Sequence, residues 1–131
     1  MEKKNTKWLF LILVTAVNVI MATTYSLVSI ISPQIMLPAG ITMDDAAFIF
    51  ALYAAARTIP IAIITLIALF RRSIPVILTL GILVGVIQFM DMCIGFYQES
   101  LWKTAGPLFL GILQFAAIIL WLRRKNDDFY S

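Results

Sequence analysis

Histidine is absent from the 131-residue sequence, and cysteine occurs once, at Cys93. The first absence removes the commonest general base, the usual haem ligand and most zinc or copper sites. The second excludes an internal disulfide, and a lone cysteine inside an apolar run behaves as a small hydrophobe. Metal and triad chemistry are therefore not expected, and neither is a cofactor. Charge is scarce too: 13% of residues are charged and 62% are apolar, with a mean hydropathy of +0.98. A soluble domain is about a quarter charged and about half apolar. So few charges cannot cover so much apolar surface, and lipid must be the solvent for most of the chain. The net charge of +3 then belongs to membrane topology, with no nucleic-acid partner implied. Strand alternation is missing as well, which excludes a β-barrel.

What is present is a set of long apolar segments, over residues 8–31, 46–70, 74–97 and about 105–122. Each reaches or approaches the ~20 residues that span ~30 Å of hydrocarbon as a helix. The expected architecture is all-α: residues 1–131 form one polytopic domain, a bundle of four transmembrane helices. The first segment begins like a signal peptide, but its apolar run continues to Ile31, as a true span would.

Lys and Arg set the expected orientation. Lys3, Lys4 and Lys7 precede the first span, Arg71 and Arg72 separate the second from the third, and Arg123, Arg124 and Lys125 follow the fourth. The other two connections hold only Lys103. Short basic segments stay inside, so both termini should be cytoplasmic, in a bacterial cytoplasmic (inner) membrane. Trp8, Phe70 and Trp121 fall at the inner interface, and Tyr97 and Trp102 at the outer one.

Local signals mark the helix ends. Thr42 followed by Asp45 suggests a capping box for the second helix, with Asp44 adding favourable charge. Ser73 suits the cap of the third, with Pro75 in its first turn. Pro60 should kink the second helix. The turn at 71–73 is so short that the second and third helices are expected to be antiparallel neighbours.

Arg57 carries the most information. It lies 13 residues from Phe70, hence about 20 Å from the inner end of its helix. An arginine at that depth costs from ~3 to over 10 kcal/mol unless it meets a partner or water. Asp91, about 6 Å farther out on the next helix, is the expected partner. Tyr53 lies one turn from Arg57, Gln88 one turn from Asp91, and Asn18 and Gln114 somewhat nearer the cytoplasm. Unsatisfied polar atoms are expensive in hydrocarbon, so these residues are expected to face the bundle interior together. One reading is a structural ion pair with amide hydrogen bonds between helices. Another is a ligand-binding pocket in which Arg57 holds an anionic or carbonyl-bearing headgroup and Asp91 positions it or carries a proton. A third is an interface to a partner subunit. Gly81 and Gly85, and Ala47, Ala51 and Ala55, permit close helix approach, either within the bundle or along a homodimer seam.

The stretch from Phe50 through Arg57 to Pro60, the Arg71-Arg72 turn, Gln88 to Asp91, and Gly106-Pro107 together resemble small four-helix membrane proteins of the broad DoxX-like superfamily. The resemblance implies a four-helix bundle with a central pocket, and some members are associated with quinone-linked oxidation or assembly of membrane proteins. This chain has no redox cysteine pair, so the resemblance does not make it an oxidoreductase. The expected function is binding of a membrane lipid or a hydrophobic, quinone-like small molecule near Arg57 and Asp91. The alternatives are a small proton-coupled transporter, or an accessory or assembly subunit of a membrane complex. The first helix has no acid and the basic residues fix one orientation, which argues against a dual-topology exporter.

Overall fold

In the computed structural model the backbone is described for residues 2–38 and 40–127, and side chains for 6–38 and 40–123. The flanking charges Lys3, Lys4, Arg124 and Lys125 lie outside the described side chains. The described elements are α1 (Glu2–Ile31), a 3-10 turn (Pro33–Ile35), α2 (Asp45–Phe70), α3 (Ile74–Tyr97) and α4 (Leu101–Asp127). All four α-helices are long and apolar enough to cross a bilayer. The chain is a multi-pass membrane protein, and its fold is an all-α four-helix bundle. One end, here the basic end, carries the start of α1, the α2–α3 turn and the end of α4. The opposite loop end carries the 32–44 connection and the α3–α4 turn.

Two cap assignments change. Asp44 rather than Thr42 caps α2: its Oδ1 accepts from Ala47 N at 2.7 Å. Starting the helix at Asp45 puts Asp44, not Thr42, three residues before the N–H that needs an acceptor. Ser73 precedes α3 without a side-chain cap bond. Its backbone oxygen receives Ile77 N at 2.9 Å, and Pro75, which has no N–H, occupies the first turn. The helices run unbroken through Pro60 and Pro107.

The two tight turns share one design. Ser73 N returns to Ala68 O at 3.0 Å and Ser100 N to Gly95 O at 3.1 Å, each past a left-handed residue, Arg72 or Glu99, both at φ 52°. These are Schellman endings made without glycine.

The turns match, but the helix pairs they join do not. α3 lies along α4 over much of its length, while α2 packs chiefly on α1 and touches α3 only sparsely. Glycine explains the close pair. A Cβ on Gly85 would come within 2.7 Å of the Phe115 ring, and one on Gly81 within 2.7 Å of Gln114 Nε2. At Gly95 it would run into the Lys103 carbonyl, backbone that cannot move aside. The close approach that Gly81 and Gly85 permit is thus taken up by α4 of the same chain. Ala55, only 2% exposed, is likewise spent within the bundle. Between α2 and α3 no such seam exists, and the tight turn makes them consecutive without making them close neighbours along their length.

The apolar core sits toward the basic end, where Leu11, Val14, Ala68, Ile77, Ala117 and Ile118 form one buried cluster. Trp8 and Trp121 close it, their rings 5.3 Å apart.

Candidate functional site

Above that core, the bundle interior becomes polar. Gln114 Nε2 donates to Thr15 Oγ1 at 3.0 Å, and Gln114 Oε1 accepts from Asn18 Nδ2 at 3.0 Å. Asn18 Oδ1 in turn accepts from Gln88 Nε2 at 2.7 Å. Asn18 Nδ2 also reaches Val14 O at 3.2 Å. The chain of amides joins α1, α4 and α3, and no buried side-chain nitrogen or oxygen among the described residues lacks a partner. Such a network is worth most when complete, because each unpaired group would cost its full desolvation.

Gln88 is where this spine meets open space. It lines a half-open cavity of about 350 Å³ bordered by α1, α2, α3 and the start of α4. Its amide oxygen accepts no bond from the described residues, so it is free for a molecule in the cavity. Val84, Ile87, Ile94 and Ile61 give the cavity apolar walls, and Thr58, Ser26 and Ser29 add hydroxyls. Asp91, one turn beyond Gln88 on the same face of α3, also lines it. Asp91 is six residues before Tyr97, so its Cα lies about 9 Å below the loop end of α3.

Lys103 and Gln98 stand at the loop end of the same cavity. Lys103 Nζ donates to Met36 O at 2.6 Å and to Gln98 Oε1 at 2.8 Å, leaving a further N–H. A cation in the first turn of a helix opposes the helix dipole, and these two acceptors offset that cost. The anchors also fix the ammonium between the 32–44 connection and the α3–α4 turn, facing the cavity.

The residues expected to converge therefore divide into three groups. Asn18, Gln88 and Gln114 come together, as a hydrogen-bonded spine. Gln88 and Asp91 share the cavity wall. Arg57 and Tyr53 do neither: both are exposed, Tyr53 by 61%, and neither lines the cavity. Among the described residues no ion pair joins Arg57 to Asp91. Similar depth carries no lateral distance, and α2 touches α3 only sparsely. Thr15 and Lys103 were missed. Lys103 was the detectable one, because it is the lone cation of two otherwise uncharged or acidic connections and stands against the helix dipole. Thr15 had no signal, since a threonine in an apolar span most often bonds its own helix.

No family model, no curated protein and no solved structure matches this chain.

Proposed function

We propose that the bundle binds a lipid-like or quinone-like molecule in the cleft that opens between α2 and α3. The observation that carries this reading is the cavity itself. At about 350 Å³ it falls in the range of small-molecule sites, and it has their usual make-up of apolar walls with a few convergent polar groups. The apolar part of the ligand lies along Ile61, Val84, Ile87 and Ile94. Its polar head meets Gln88 and Asp91, with Lys103 and Gln98 at the outer mouth. The resemblance to DoxX-like proteins, with their central pocket, is consistent with this reading.

Both termini are cytoplasmic in this reading, in a bacterial inner membrane, and Lys103 then serves the outer leaflet. Reporter fusions at residues 1, 72 and 131 should score inside, and at 38 and 99 outside; an outward C-terminus would break the assignment. The ligand is tested by purifying the full chain in mild detergent and analysing the co-purified lipid extract by mass spectrometry. One species should be enriched over bulk lipid in wild type and be depleted at least tenfold in Asp91→Leu and in Ile87→Trp, which fills the cleft. Equal occupancy in the filled variant would sink the binding site.

A proton-coupled transporter is favoured by one feature only: Asp91 is a carboxylate within the spans, faces a cavity and forms no ion pair with a cation among the described residues. Transport should then vanish in Asp91→Asn while ligand binding persists.

A further inference from the structure

Arg57 sits where a lone cation is least tolerable. It is 12 residues from Asp45 and 13 from Phe70, so about 18–20 Å of helix lie on either side and neither interface is near. It is exposed on the surface of the chain and forms no ion pair with a carboxylate among the described residues. Its helix, α2, is also the least buried of the four spans. Around it, Phe50 is 74% exposed, Tyr53 61% and Ile64 52%. Tyrosine and arginine, with tryptophan, are enriched among the side chains that dominate interface energies.

The position of Arg57 on α2 fixes which face is open. It follows Ala54 by three residues and precedes Ile61 by four, and both line the cleft. Three turns nearer the basic end on the same stripe, Ala68 is buried in one cluster with Ile77 of α3. Arg57 therefore flanks the cavity-lining stripe of α2, a helix that touches α3 only sparsely. On α3 stands Asp91, also exposed, on the stripe that carries Val84, Ile87 and Ile94. Among the described residues these are the two charged side chains deep within the spans. They have opposite sign, lie about 6 Å apart in depth counted from the basic end and about 9 Å counted from the loop end, and do not meet within one chain.

We infer that the α2–α3 face is a symmetric dimer interface between two copies of this chain, in which Arg57 of each copy pairs with Asp91 of the other. A second copy in the same orientation presents its Asp91 at the same depth, within reach of an extended arginine. A two-fold axis along the membrane normal makes two such pairs at once, because residue i meets j and j meets i in an isologous contact. Both charges leave the lipid together, and the cost of an unpaired arginine in hydrocarbon supplies the drive. The second copy also covers the cleft mouth, so the polar wall at Gln88 and Asp91 becomes a site between subunits. The inference goes beyond the ligand reading and does not depend on what fills the cleft.

The test uses full-length chain with donor or acceptor fluorophores on N-terminal tags, reconstituted in liposomes over a series of protein-to-lipid ratios. Wild type should transfer energy with dimer stoichiometry. Arg57→Asp alone and Asp91→Arg alone should each weaken self-association on the order of tenfold or more, because each places like charges across the interface. Mixing the two variants should restore wild-type transfer, since one copy then carries two acids, the other two bases, and both contacts join opposite charges. If a reversed variant fails to insert, Arg57→Leu mixed with Asp91→Leu keeps one pair, and should associate better than either alone. Monomeric wild type throughout, single variants that dimerise like wild type, or a mixture no better than its parts would each overturn the interface.

Discussion

The α2–α3 and α3–α4 pairs begin alike and end differently. Both are joined by turns of a few residues, both turns end a helix with a left-handed residue, and both close with the same backbone bond. Yet α4 lies on α3 over much of its length, and α2 leaves it. The difference comes from the facing surfaces. α3 offers Gly81, Gly85 and Gly95 to α4, and α4 answers with Gln114, Phe115 and the Lys103 carbonyl. On the face that lines the cavity the same helix offers Val84, Ile87, Ile94 and Asp91, which are bulky or polar. A short connection sets direction and order. Closeness depends on whether the backbones can approach, and in lipid no hydrophobic force compensates for surfaces that do not fit.

The contrast can be broken most severely at Gly95. Gly95→Val drives a branched side chain into the α4 backbone, and should cost about 3 kcal/mol or more. The measurement is unfolding in detergent followed by far-UV circular dichroism; a loss below about 1 kcal/mol would mean that the seam is looser than described. The polar spine comes next. Asn18→Ala strands amides on Gln88 and Gln114, and should cost about 1–3 kcal/mol. Removing two of the spine's three amides together, as Asn18→Leu with Gln114→Leu, should cost less than the two single losses combined, because fewer orphaned groups remain. Additive losses would show that the network is not cooperative.

The α3–α4 turn and the cleft wall should respond weakly. Glu99→Gly relieves a left-handed non-glycine residue and should stabilise by about 0.5–1 kcal/mol, tightening the α3–α4 turn further. Thr58→Ile, on the cleft wall, should change stability by about 0.5 kcal/mol or less while displacing ligand. A large loss from Thr58→Ile would show that the two walls are already packed together.

Much of the site was visible in outline. Asn18, Gln88 and Gln114 are amides in otherwise apolar spans, and the cost of leaving amides unpaired in hydrocarbon is enough to predict that they meet. The pairing of Arg57 with Asp91 rested on the same cost plus depth, and within one chain it did not occur. Energy demanded a partner for each charge but did not say whose. Lys103 joined the site because the 32–44 connection brought Met36 O to it, a contact across 67 residues that no local pattern encodes.

The solvent, the number of spans, their approximate ends and their alternation were all legible in the chain. They follow from apolar run length, helix rise and the sparse placement of charge, which are local or additive properties. Which neighbours touch, where the cavity opens and which charges are left facing out emerged only when the helices assembled. Those outcomes depend on the lateral distance between helices. That distance is set by the fit of two whole surfaces at once, and neither surface shows in its own residues what the other will offer it.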